Sequence, residues 1–235
     1  MMTAKEKAAP GWHRESGSNA TTLPADSITL ATAQSIYAPD LRMHRVPLST
    51  LVERLSRPAI REQKDGAGIV FADMTVPYRK GANVHAVTAL AYDLEASPAS
   101  PPPPAALHAR CSALGWRHVI VSTYSHTPEA PRYRLVLALT RPLAPDLYRR
   151  VWSLPLESLG ITDCVDVACR DPARLYLLPA CPQSRAHLFE HYHGAGNPLN
   201  TDSLATIWAA REMRKPKSAP KVRAINAGDL SLIHI

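Results

Sequence analysis

The chain has 235 residues, 27 Lys and Arg against 20 Asp and Glu, a formal net charge of +7 with His neutral, and 46% hydrophobic residues. That is enough chain to bury a core without disulfide or metal staples; the composition excludes wholesale disorder, and no apolar run reaches the roughly 20 residues of a membrane span. The four cysteines and an N-terminus (MMTAKEKAAPGWHRE) without a continuous apolar stretch point to a reducing, cytoplasmic setting.

Residues 1–35 mix Ala, Gly, Ser, Thr and Pro without a hydrophobic period and read as a disordered tail. Leu48 to Leu55 reads as a helix, with Leu48, Leu51, Val52 and Leu55 as its apolar stripe and Thr50 and Glu53 able to form a capping box. Gly68 to Ala72 (GIVFA) is a short strand, and Val84 to Glu95 (VHAVTALAYDLE) a longer one. Ser97 to Pro104 (SPASPPPP) cannot lie inside a helix or strand, because Pro lacks the N–H and fixes φ; it reads as a stiff, exposed connector. Ala105 to Leu114 is a helix closed by Gly115. Arg117 to Tyr124 and Tyr133 to Thr140 are strands of a long hairpin, separated by the Pro-rich turn SHTPEAPR. Leu147 to Leu159 is helical with a break at Pro155, Arg174 to Leu178 is a last strand, and about 203–214 is a helix capped by Thr201, Asp202 or Ser203. The order mixes helices and strands, so the fold class is α+β: a mixed or antiparallel sheet, or split βαβ unit, with helices on one face, in one domain over about residues 40–195.

Four pieces can carry chemistry. Asp93 and Glu95, two apart at a strand end, point to one face; side-by-side carboxylates repel unless solvated or holding a cation, and Mg²⁺ or Mn²⁺ takes such hard oxygen ligands. Ser125 and His126 follow a strand and can donate to a phosphate. Arg132 and Arg134 share a face at the start of the return strand and suit phosphate oxygens, or are solvated edge charges. Asp163 and Asp166 lie in DCVDVACRDPARLYLLP, where Asp171 precedes Pro172 as a turn residue and Arg174 opens a strand.

In order, DxE on a strand, a His motif after the next, and Val165-Asp166 resemble the archaeo-eukaryotic primase superfamily, and more narrowly the primase or primase-polymerase domains of phage and plasmid replication proteins. The most specific stretch is Tyr124-Ser125-His126-Thr127 with Pro131-Arg132-Tyr133-Arg134-Leu135-Val136; the resemblance covers about residues 45–185. It implies an RRM-like catalytic core. It also implies a DNA-dependent nucleotidyltransferase that makes primers on single-stranded DNA from NTPs or dNTPs, by chemistry with two Mg²⁺ or Mn²⁺ ions. Asp93, Glu95 and Asp166 would be the metal ligands and catalytic carboxylates, with Asp163 competing for the third role. Ser125, His126, Arg132, Arg134 and Arg174 would bind nucleotide phosphates, Arg132, Arg134 and Arg174 equally suiting the template backbone. A helicase domain or subunit is a further expected partner, and no membrane is. Two departures from the family pattern stand out: LLPACP after Arg174, where an aromatic often precedes the Pro, and the Pro-rich insert directly after the first motif.

Two other classes remain open from the residues alone: a non-catalytic DNA-binding replication module, suited by the basic stretch 211–223, and a metal-dependent nuclease. Cys164, Cys169, Cys181, His187, His191 and His193 lack the CxxC spacing of a zinc site, so zinc is not expected. Trp116 and Trp152 read as core, whereas Trp208 could stack a base. Residues 200–229 read as a helix and basic linker. The final LSLIHI can be encoded by CTG TCT CTT ATA CAC ATC, which resembles the mosaic end of transposase-based sequencing libraries. Residues 230–235 are therefore expected to be adapter-derived, with the natural chain continuing past about residue 229.

Overall fold

The structure, a computed structural model, describes residues 26–96 and 98–214. Residues 1–25, Ser97, the basic stretch from 215 to 223 and the last six residues lie outside the described residues. In chain order the elements are β1 (Ser27–Ala33), β2 (Arg42–Pro47), α1 (Leu48–Leu55), β3 (Ala59–Ile60), β4 (Gly68–Val70), β5 (Ala72–Met74), β6 (Val84–Leu94), α2 (Pro104–Ala113), β7 (Arg117–Ser122), β8 (Tyr133–Leu143), α3 (Pro145–Val151), α4 (Leu154–Leu159), β9 (Tyr176–Leu177), β10 (Ala180–Cys181), β11 (His191–Ala195) and α5 (Thr201–Arg214). The α+β class holds.

The strands form a five-stranded sheet, β11-β7-β8-β6-β5, a four-stranded sheet, β2-β1-β4-β9, and a short parallel pair of β10 with β3, rather than one sheet. The GIVFA stretch explains the division. It is not one strand but two, β4 in the smaller sheet and β5 in the larger, with the chain passing between sheets at buried Phe71. β6 and β7 both pair antiparallel to β8, so they run parallel with β8 between them and α2 crossing over: a split βαβ unit. Their near-continuous apolar sequences follow from burial on both faces, and Leu90, Leu135 and Leu137 have no exposed surface. Each such leucine contributes roughly 2 kcal/mol.

Several local expectations change. Ser27–Ala33, assigned by sequence to the tail, is a strand pairing with both β2 and β4, with Leu30 and Ala31 fully buried. α1 has the expected bounds, but Pro47 occupies the cap position without a side-chain hydrogen bond, so the Thr50–Glu53 box does not form. Burial of Leu51 and Leu55 holds the helix instead. α2 closes as expected, with Gly115 at φ 68. The helix read over 147–159 is two, because Pro155 fits only the first turn of a new helix. The strand read over 174–178 shortens to Tyr176–Leu177. α5 starts at Thr201 and is capped by Asn200, whose side chain accepts from the amides of Asp202 and Ser203, both at 3.0 Å. In the Pro-rich segment Pro101 and Pro104 are buried, so it is a wall more than an exposed connector. No helix among the described residues is long and apolar enough to cross a membrane.

Candidate functional site

Asp93 and Glu95 lie at the C-terminal end of β6, and the segment carrying Asp166 runs along it. Asp93 and Glu95 alternate with buried Leu94, so their side chains share the other face. The segment around Asp166 is laid along this strand end: Leu94 and Val165 form an antiparallel bridge, the Asp166 amide donates to the Asp93 carbonyl at 2.8 Å, and the Glu95 amide donates to the Cys164 carbonyl at 2.8 Å. Asp166 is stitched to the DxE strand by its amide, whereas the Asp163 side chain accepts, among the described residues, from its neighbour Thr162. Asp166 also caps a 3-10 turn, accepting from the Ala168 amide at 2.9 Å. Asp171 is a turn residue, as expected, accepting from the Ala173 amide at 3.0 Å.

Each carboxylate is met by an arginine. Arg134, directly opposite Asp93 on β8, donates from Nε and Nη2 to the two Asp93 oxygens at 2.7 and 3.2 Å, and from Nη1 to the Leu177 carbonyl at 2.5 Å. It also lies 4.9 Å from the centre of the Tyr176 ring. Burial pushes the Arg134 pKa down, but the charge and hydrogen bonds of Asp93, with Tyr176 and Cys169 nearby, together leave it raised. Arg132 is ion-paired with Glu95, and Arg174 with Asp166 at 2.8 Å. Sequence reasoning treated these three arginines as phosphate ligands. Arg134, 7% exposed and making three hydrogen bonds, is held on Asp93 in this structure. Arg132 and Arg174 have 41% and 35% of their side chains exposed and can swing into solvent.

His126 sits in the turn after β7, its amide donating to the Thr123 carbonyl at 3.0 Å. Its Nδ1 accepts from the Arg132 amide at 3.2 Å, which fixes the ring proton on Nε2. Burial pushes its pKa below 6.5, with Glu190 pulling it up and Arg185 pushing it down, so the ring is neutral near pH 7. Arg132 thus joins the two motifs: its backbone holds His126 and its side chain holds Glu95. Ser125 lies in the same turn, and no side-chain partner for it is present among the described residues.

His126 lines an open groove of about 630 Å³ whose other walls include Pro101, Pro104, Tyr133, His187 and Glu190. Sequence reasoning missed several of these contributors. Cys169 accepts from the Asp93 amide through Sγ at 3.3 Å, and the Tyr176 hydroxyl donates to the Ala91 carbonyl at 2.8 Å; both support the DxE strand from below. Arg185 packs over the Tyr124 ring at 5.6 Å. Only the Pro-rich composition hinted at the wall of the groove.

Asp93, Glu95 and Asp166 offer hard carboxylate oxygens of the kind that hold Mg²⁺ or Mn²⁺. The arginines on Glu95 and Asp166 can withdraw, and the Asp93 oxygens each keep a second lone pair beside Arg134, so this donor set fits a divalent cation. As the side chains stand, no three His, Cys, Asp or Glu form a metal-sized group among the described residues. All four cysteines are free and buried; His187, His191 and His193 are exposed. Trp152 is buried against Tyr92, Trp116 is half-buried against the core, and Trp208 is covered by Arg150 at 4.7 Å.

Among curated proteins, none matches the chain. Among solved structures, the AEP domain of the primase-polymerase of cyanophage S-2L aligns with a TM-score of 0.43 and 13% identity, over 78% of this chain and 90% of that one. The family scan matches residues 52–210, most of the described chain, from α1 to α5. That span includes every residue of the carboxylate cluster and of the His126 turn, and on it the chain belongs to the VapE N-terminal domain family.

Proposed function

We propose that this domain is a primase-type nucleotidyltransferase that extends from NTPs or dNTPs on a single-stranded DNA template. The observation that carries the reading is the stitching of Asp166 to the Asp93–Glu95 strand end, with His126 tied to the same cluster through Arg132. The backbone of Asp166 is bound to the strand end that carries Asp93 and Glu95, and His126, linked to Glu95 through Arg132, lines an open groove of about 630 Å³.

In this reading Asp93, Glu95 and Asp166 would hold the divalent cations, Arg132 and Arg174 turning outward as they bind. The cation would supply activation of the primer 3′-hydroxyl and charge neutralisation of the triphosphate and pyrophosphate. His126, neutral and protonated on Nε2, donates to a phosphate oxygen from a fixed orientation. Ser125, without a side-chain partner among the described residues, adds a hydroxyl. The released Arg132 and Arg174 side chains are then the mobile cations for the triphosphate or the template backbone. Arg134 stays on Asp93 and fixes its orientation.

The test is equilibrium binding of ATP and dATP with and without Mn²⁺. Metal-dependent binding that His126→Ala weakens at least about tenfold supports the reading. The neutralisation of all three acids by arginines favours a second reading, a non-catalytic DNA-binding module. Metal-independent strand binding with no nucleotide affinity would select it.

A further inference from the structure

A second surface, outside the carboxylate cluster and the groove, combines exposed rings with unpaired cations. Residues 35–42 and 76–80 form a clasp. The Leu41 amide donates to the Pro77 carbonyl and the Arg79 amide to the Pro39 carbonyl, both at 2.8 Å, and Asp40 bridges to Tyr78. The Arg79 guanidinium ties the far side by donating to the Ile36 carbonyl at 2.8 Å. The clasp holds Tyr37 84% exposed and Tyr78 47% exposed. It carries Arg42, Arg79 and Lys80 against one acid, Asp40. None of the ion pairs among the described residues uses Arg42 or Lys80.

In sequence the clasp runs directly into Gly81, whose Cα approaches the Asp171 side chain closely enough that a Cβ placed there would lie 3.9 Å from Oδ1; Asp171 in turn accepts at its carbonyl from the amide of Arg174, the arginine paired with Asp166.

We propose that this clasp is a single-strand nucleic-acid track, with Arg42 and Lys80 contacting phosphates and Tyr37 and Tyr78 stacking on bases. Two exposed rings beside cations favour unpaired bases over duplex, because a duplex hides the base faces that stacking needs. That the bound strand is the template rests on the nucleotidyl-transfer reading; strand binding itself does not.

The experiment is fluorescence anisotropy of a labelled oligonucleotide of about 20 nucleotides, single-stranded or as a duplex, across a salt series. The double variant Tyr37→Ala/Tyr78→Ala is expected to weaken single-strand binding at least about fivefold. Arg42→Gln/Lys80→Gln should lower the slope of log affinity against log salt by about 1.4, at roughly 0.7 per phosphate contact. All four positions are exposed, so both variants should melt like the native chain, and Mn²⁺-dependent nucleotide binding measured on the same samples should be unchanged. Unchanged strand affinity in both variants, or a duplex that binds as tightly as the single strand, overturns the track. Native protein that binds nucleotide but no single strand overturns the track and leaves the nucleotidyl-transfer reading standing. Clasp-dependent strand binding without any nucleotide binding supports the track and removes that reading.

Discussion

Arg134 stands directly across the sheet from Asp93 and holds both oxygens of its carboxylate, from a position closed off by the Leu177 carbonyl and the Tyr176 ring. Such a pair is costly to break from either side, because the surviving partner keeps its charge without compensation.

Arg134→Met should therefore lower unfolding stability by roughly 3 kcal/mol, and Asp93→Asn by a similar amount, in urea denaturation. Arg134→Lys, which keeps the charge and loses the two-point grip, should fall between native and Arg134→Met. Native-like midpoints for Arg134→Met would show that the pair is not a structural contact. A catalytic test based on Asp93 alone consequently mixes folding with chemistry.

Glu95 and Asp166 escape that confusion. Their arginines are part-exposed, and exposed ion pairs contribute about 0–1 kcal/mol. Glu95→Gln should unfold within about 1 kcal/mol of native. Asp166→Asn should do the same, because Asn retains the acceptor that caps the 3-10 turn at Ala168. A larger loss in either variant would mean that these acids serve the fold.

Acid should weaken the domain through two histidines. Burial lowers the pKa of His118, whose Nε2 meets His108 Nδ1 at 2.8 Å, with the Trp116 carbonyl opposing and His108 and His193 adding to the fall. Burial also lowers that of His126. The unfolded chain binds these protons more readily, so the stability they confer is complete above about pH 6.5 and is lost as pH falls below it. The melting temperature should stay level from about pH 8 to 7 and drop from about pH 6.5 to 5.5, less so in His118→Gln. A flat profile across that range would contradict the burial of both rings.

Glycines near β11 should differ sharply in what they tolerate. A Cβ on Gly196 would lie 2.4 Å from the Gly115 carbonyl oxygen, a backbone clash, whereas one on Gly115 would meet nothing within 4 Å and suffer only its positive φ. Gly115→Ala should cost about 1 kcal/mol and Gly196→Ala roughly 2–3 kcal/mol or more, read by chemical denaturation. Equal costs would mean that the 195–200 crossing is not seated as described.

The long strands and α2 were legible because their apolar periods and the glycine after Leu114 are local signals. β1 was not: its apolar–polar alternation is confined to Ser27–Leu30 and then gives way to Ala31-Thr32-Ala33, too short a signal beside the Ala- and Thr-rich tail, and pairing with β2 and β4 completes the strand. β9, β10 and β3 are two residues each, too short to carry a period. At the candidate site, motif order proposed the acids and His126, but gave no sign that an arginine meets each acid. That depends on cross-strand register, which puts Arg134 opposite Asp93, and register is a tertiary property. The same register sets Arg134 against Asp93 and Arg132 against Glu95 in this structure.

Nucleotidyl transfer by this domain is decided by incorporation of labelled NTPs and dNTPs on single-stranded DNA with Mg²⁺ or Mn²⁺, comparing the native chain with Glu95→Gln and Asp166→Asn. Metal-dependent products are expected from the native protein, with a loss of at least about a hundredfold in both variants, which remain folded. Native-level synthesis by the two folded variants would contradict it.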